Sequence, residues 1–279
     1  MKTHKVLAII LAMAASAKTL PLLAQNDIKE QITVPLSDPS KSGSLDVKLI
    51  RGSIHIIGYA GKEVIVEAAT KGAAKKNEES KDQAAKGMKR ISFSRNGLDL
   101  TIEEEKNNVR IKPSMPRNPV NLTIKVPQNF TLRVGAINEG DVVIDNVNGE
   151  FEVSNINGAI MLNNISGSVV ANTVNGNVKA NFKSINPTSP MAFSTLNGNV
   201  DVTFPPTAKF DVKLKSDRGE IFSDFDVEVD KTEPKAVKTA KNGLYKISIS
   251  DWVQGKVNGG GKEVMMKNMN GNIYVRKAK

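Results

Sequence analysis

Between residues 138 and 182 apolar side chains return on a fixed schedule. Val142, Ile144 and Val147 are followed nine residues later by Phe151, Val153 and Ile156, and then by Ile160, Leu162 and Ile165. Val169, Ala171 and Val174 come next, and Val178 with Ala180 opens a fifth unit. Each unit starts from a glycine, at Gly140, Gly149, Gly158, Gly167 and Gly176. Asn148, Asn157 and Asn175 directly precede their glycines, and Glu139 and Ser166 take the other two places. Self-similarity at a fixed period is the mark of a repeat architecture.

Within a unit, the apolar residues two and four places after the glycine share one face of a strand. The step from four to seven breaks that parity and requires a bend. Asn-Gly is also a strong hairpin turn, so an antiparallel meander is the competing reading. A two-residue hairpin would pair Val147 with Glu150, Ile156 with Ala159, Ile165 with Ser168 and Val174 with Asn177, and three of these four pairs set an apolar residue beside a polar one. A corner at each Asn-Gly instead buries every apolar position. The pattern therefore predicts an all-β fold, a single-stranded β-solenoid (β-helix) of nine-residue Gly-x-apolar-x-apolar units. Gly and Asn suit corners because both tolerate positive φ, and stacked Asn side chains can hydrogen-bond along a ladder. The predicted corner residues are Gly140, Asn148, Gly149, Asn157, Gly158, Gly167, Asn175, Gly176, Asn197, Gly198, Asn270 and Gly271. Gly198 and Gly219 follow Gly176 at intervals of 22 and 21, which suggests two units and a small loop per coil and leaves three open. Val200 and Val202 after Gly198, and Ile273 and Val275 after Gly271, keep the placement.

Upstream, Gly52 with Ile54 and Ile56 repeats the motif, and Val64–Ala68 and Val120–Val126 read as strands. Ile91–Arg95 and Leu98–Glu103 flank Asn96-Gly97 with matching parity and predict a hairpin. The organisation expected is a secretory signal over 1–24, a lead-in over 25–44, an N-terminal β region over 45–135 with a polar insertion at 71–89, and repeats over 136–279. The signal reading rests on Lys2 and Lys5, the apolar run Val6–Ala17, and Leu22-Leu23-Ala24 before a cleavage point. That run is shorter than the roughly 20 residues of a transmembrane helix. Export to the periplasm or surface of a Gram-negative-type envelope follows as an expectation.

Charge and chemistry narrow the function classes. Removing residues 1–24 takes three lysines and no acid, so a net charge of +10 becomes +7. A basic surface suits anionic glycans or other acidic partners, while no basic-aromatic motif points to nucleic acid. With no cysteine, thiolate metal sites, a cysteine nucleophile and a lipidated cysteine are excluded. His55 is the only histidine beyond residue 24, and it sits outward between Ile54 and Ile56. The acids Asp224, Asp226, Glu228 and Asp230 share one strand face, which diverges rather than converging on a cation. Gly259-Gly260-Gly261-Lys262 lacks the Ser/Thr and helix of a phosphate loop. No pair of acids recurs at a spacing that picks out a glycosidase dyad. Val143, Met161 and Val170, three places after their glycines, are outward positions that could form a docking surface or lie beneath a loop. No cofactor or metal is expected.

The run from Asn148-Gly149-Glu150-Phe151-Glu152-Val153 to Asn175-Gly176-Asn177-Val178 resembles a known family, as do the strand Leu122–Pro127 and the ending from Gly259 to Asn270-Gly271-Asn272-Ile273-Tyr274-Val275. This is the "putative adhesin" family of exported β-strand-repeat proteins, similar to the adhesin-head GIN domain. The resemblance covers roughly residues 45–277 and is most specific over 120–182. It implies an envelope β-solenoid with an adhesive or scaffolding role, and it supplies no catalytic residues. The expected function is a non-catalytic binding or scaffold module with a surface or envelope partner. A polysaccharide-active β-helix enzyme and an accessory of envelope-stress signalling are the alternatives.

Overall fold

Glycine corners and alternating strands build an all-β molecule. The computed structural model describes residues 27–71, 100–113, 119–230, 236–241, 244–249 and 252–279, and no helix occurs among them. The expected signal, the polar insertion beyond residue 71, and the Ile91–Arg95 strand with its Asn96-Gly97 turn lie outside the described residues.

Most strands pair parallel, as two arms of a stacked rung. The first arms are β2 (Gly43–Arg51), β6 (Asn108–Pro113), β8 (Phe130–Asn138) and β10 (Asn148–Ser154). They continue in the second half of β11 (Ile160–Asn175), in β13 (Met191–Asn197), β15 (Phe210–Arg218) and β21 (Glu263–Asn270). The second arms are β3 (Ile54–Tyr59), β7 (Val120–Pro127), β9 (Val142–Asp145), the start of β11, β12 (Val178–Ile185), β14 (Val200–Phe204), β16 (Ile221–Ser223) and β22 (Ile273–Lys277). Through the repeats the register is two units long: Gly149 faces Gly167, Val142 faces Ile160 and Ile160 faces Val178. No Asn-Gly step of the repeats closes a hairpin.

Spatial order departs from chain order at both ends. β2 and β3 lie between the earlier-stacked β6/β7 and the later β8/β9. At the far end β21/β22 slots between β13/β14 and β15/β16. The glycine spacing had Gly219 following Gly198, whereas Gly271 stands between them. Antiparallel strands close the stack: β5 (Leu100–Glu105) on β6, β4 (Glu63–Lys71) on β7 with β1 (Asp27–Pro35) outside it, and β20 (Val253–Val257) on β15 with β17 (Val227–Val229) beyond. Such covers remove the open backbone edge of a parallel ladder. β18 (Ala236–Lys241) and β19 (Leu244–Ile249) form a separate hairpin.

The core is the inward row of each arm. Ile54, Val142, Ile160, Val178, Val200 and Ile273 stack across successive second arms and are all fully buried. Phe182, Phe204, Phe210 and Phe225 run through the last rungs with ring centroids 5.4, 4.5 and 5.8 Å apart. One expectation fails. Val147 and Ile165 are buried, but Ile156 and Val174, the same position of the alternate units, are 42% and 37% exposed. The parity-breaking bend exists only after the second arm, where Asn146 and Asn164 take φ of 59° and 53°. The first arm runs straight into its corner, so Asn155 and Thr173 point inward and Ile156 and Val174 outward. The two nine-residue units of a rung are thus not equivalent.

Candidate functional site

The corner between first and second arms is the most regular surface feature of the chain. Four ladders run across it, one residue apart. Innermost are short polar side chains, each donating to a glycine carbonyl of the preceding rung: Asn155 to Gly140, Thr173 to Gly158, Thr195 to Gly176 and Asn268 to Gly198, at 3.0, 2.9, 2.8 and 3.2 Å. These residues were missed by apolar periodicity, although each stands two places before the Asn of an Asn-Gly step. Asn155, Thr173, Thr195 and Asn268 are buried, and Asn268 Oδ1 has no hydrogen-bond partner among the described residues.

Next outward come the predicted asparagines. Asn157 donates to Asn138, Asn175 to Asn157, Asn197 to Asn175 and Asn270 to Asn197, at 2.7–2.9 Å. Arg51 and Arg218 occupy the two ends of this amide ladder in register. The glycines follow. A Cβ on Gly158, Gly176, Gly198 or Gly271 would overlap the carbonyl of the glycine one rung before. Close approach is therefore what demands glycine at most of these positions; of the predicted corner glycines only Gly167, Gly198 and Gly271 have positive φ. Asn148, Gly149 and Gly167 belong to the opposite corner, where Asn148 donates to Asn129 at 3.1 Å and Gly167 stacks on Gly149.

Outside the asparagines lies an apolar row that includes Ile156 and Val174, both expected in the core. Ile50, Ile137, Ile156, Val174, Leu196 and Met269 occupy consecutive rungs and are 37–47% exposed. They account for six of the eleven exposed large hydrophobics among the described residues. Of the outward positions expected from the unit pattern, Val170 is exposed and Val143 and Met161 half-buried.

A groove of about 570 Å³ opens on the first-arm face near the other end of the stack. A ladder of alternating charge crosses it: Glu103, Arg110, Asp46, Arg133 and Glu152 sit opposite one another on successive strands. Arg133 Nε lies 2.9 Å from Glu152, and Arg110 3.8 Å from Glu103. Asp46 and Glu152 each stand beside an arginine in this register, while Glu150, which also lines the groove, stands opposite Ser168. The carboxyls with displaced pKa values move down, away from general acids. Hydrogen bonds from the Ser40 hydroxyl, then Lys41, lower Asp38 to about 2. The Ser37 and Asn107 backbone N–H groups, then the Ser37 hydroxyl, hold Glu104 below its usual range.

The remaining candidates disperse. His55 Nε2 meets Asp145 Oδ2 at 2.5 Å on the outer face of the second arms, and Asn163 donates to the same carboxylate. Asp224 anchors the end of β22 through the Lys277 N–H, and Glu228 lies on β17 against β20. Gly259 and Gly260 form the turn into β21. Among the described residues no three His, Cys, Asp or Glu side chains cluster as metal ligands, and no helix is long and apolar enough to cross a membrane.

Residues 128–258 match the family model described as Toastrack DUF4097. That span begins just before β8 and ends just after β20. The β2/β3 and β21/β22 rungs lie outside it yet carry the same glycine corner. No curated protein matches the chain. Similar solved structures include a "putative cell adhesion protein" from Clostridium sporogenes, 10% identical with a TM-score of 0.42, covering 90% of this chain and 100% of its own. A "putative adhesin" from Bacteroides fragilis is 9% identical with a TM-score of 0.33, covering 90% and 98%.

Proposed function

We propose that this chain is a non-catalytic, exported binding or scaffold module of the cell envelope, with a Toastrack-like body wound as a β-solenoid from paired nine-residue units. The supporting observation is the groove over β6, β2, β8 and β10. Asp46 and Glu152 alternate with Arg110 and Arg133 in a fixed ladder, so it offers a patterned polar surface to a partner. The signal-like pattern of residues 1–24 supports export to the periplasm or cell surface. The +7 charge left after its removal favours a partner with anionic groups, such as an acidic glycan of the envelope or another protein.

The test is co-sedimentation of the purified chain with envelope fractions and with an acidic polysaccharide over a salt series. Retention at moderate salt is expected, and Arg110→Gln with Arg133→Gln should lower it about tenfold while the thermal transition is kept. Absence of retention at every salt concentration defeats the proposal. Release of unsaturated or reducing sugar ends, abolished by Glu152→Gln, would replace it with a polysaccharide-cleaving function.

A further inference from the structure

We propose that the groove over β6, β2, β8 and β10 takes a linear glycan carrying an acidic group on every second sugar residue. This specificity rests on the groove being the site where the partner binds, as proposed above.

The groove floor is a set of parallel strands, so its side chains recur at one strand spacing, about 4.8 Å. In the charged row Arg110, Asp46 and Arg133 stand opposite one another on β6, β2 and β8, and Glu152 follows on β10. Sign therefore alternates at every strand, and the two arginine positions lie two spacings, about 9.6 Å, apart. Arg133 holds Glu152 through Nε at 2.9 Å, which leaves its Nη groups as donors for a ligand. An anion set against Asp46 or Glu152 meets like charge, which is costly, whereas one set against either arginine meets its opposite. The partner that fits this row has anions two spacings apart and none between them.

Beside the charged row, the same three strands β6, β2 and β8 carry a neutral one. Ser44 is in register with Asn108 on one side and Thr131 on the other, and its hydroxyl donates to Asn108 at 2.6 Å. These hydroxyls and this amide both donate and accept, as sugar hydroxyls and acetamido groups require. On β10 the residue on the same face two places before Glu152 is Glu150, so that strand too disfavours an acid above it.

Spacing selects a glycan over a peptide. An extended β-linked chain of pyranoses advances by close to one strand spacing per residue, so alternate residues meet Arg110 and Arg133. An extended peptide laid across the strands carries same-face side chains about 6.6 Å apart and falls out of step with the row. Charge alone would select differently: a basic chain attracts the denser polyanion more strongly.

The test compares decasaccharides of hyaluronan, with a carboxylate on alternate residues, and of polygalacturonate, with one on every residue. Calorimetry on the purified chain at physiological ionic strength should show the hyaluronan fragment binding about tenfold tighter, despite its lower charge. Asp46→Lys joins Arg110 and Arg133 into one cationic run and should reverse the preference. Asp46→Asn, which crowds the two arginines less, should narrow it to about threefold or below. Tighter binding of polygalacturonate by the wild type, or a preference indifferent to both Asp46 variants, overturns the alternation. The groove itself stands in that case as long as Arg110→Gln with Arg133→Gln still weakens binding. Absence of binding to either fragment overturns the glycan. Retention on envelope fractions that still falls with the two arginine substitutions would then keep the groove for a different partner, and retention that does not fall removes the groove as well.

Discussion

Asn268 shows how little freedom a corner residue has. Its Nδ2 donates to the carbonyls of Gly198 and Asn272 at 3.2 Å each, while its Oδ1 is buried with no partner among the described residues. Thr173 and Thr195 do the same work in neighbouring rungs with one hydroxyl. Asn268→Thr is therefore expected to be neutral or stabilising, because it keeps the donor and removes the orphaned acceptor. Asn268→Val should cost about 1–3 kcal/mol, the usual penalty for leaving a buried carbonyl unmet. Urea melts of both variants decide it, and equal losses would refute the assignment. Gly176 gives a second residue-level test. Its φ is not in the left-handed region, yet a Cβ would run into the Gly158 carbonyl below it. Gly176→Ala should cost about 1–3 kcal/mol through forced separation of rungs. Gly259→Ala has open space around it and a φ of +89°, so only the backbone penalty of about 1–2 kcal/mol applies.

At the scale of elements, the turn joining β5 to β6 is held by one carboxylate. Glu104 accepts from the Ser37 N–H at 3.0 Å, the Ser37 hydroxyl and the Asn107 N–H at 2.8 Å, while Asn107 donates to the Asp38 carbonyl at 2.6 Å. These donors favour the ionised form, so the folded pKa lies below the unfolded one. The stabilisation is complete above the unfolded value of about 4.3 and is lost as pH falls through the folded value. Asp38, lowered to about 2, acts in the same direction. The midpoint of thermal unfolding should therefore drop more steeply for wild type than for Glu104→Gln between about pH 5 and about pH 2. Parallel curves would show that the cap does not draw on Glu104. The elements were largely legible in the chain: alternation located the arms, and Asn-Gly located the corners. The alternate-unit difference was not, because Ile156 and Val147 look alike to periodicity. What separates them is a single backbone bend at Asn146 and Asn164, a residue type that carries positive φ without announcing it. The outward placing of Ile156 and Val174 was hidden by the same ambiguity.

For the whole molecule, the order of rungs is a tertiary property that no local pattern encodes. Gly219 follows Gly198 by 21 residues and fits the next coil by spacing alone, yet the rung carrying Gly271 lies between them. A stack whose order matched the chain would lose one rung and one interface when its last coil was removed, since each repeat touches only its neighbours. Here the final strands β21 and β22 pair with β13 and β14 on one side and with β15 and β16 on the other. Ending the chain after Asn258 removes an internal rung and leaves β15 about 9.6 Å from β13, two strand spacings, with the Phe204–Phe210 contact bridging an empty layer. The truncated chain should lose amide-exchange protection over Phe210–Arg218 as well as over β13 and β14, while β8, β9 and β10 keep theirs. Its denaturant m-value should fall by more than one rung's share of surface. Protection retained in β15 after the truncation would mean that the last two rungs can close on β13 and β14 directly, and that β21 and β22 add to the stack without holding it together.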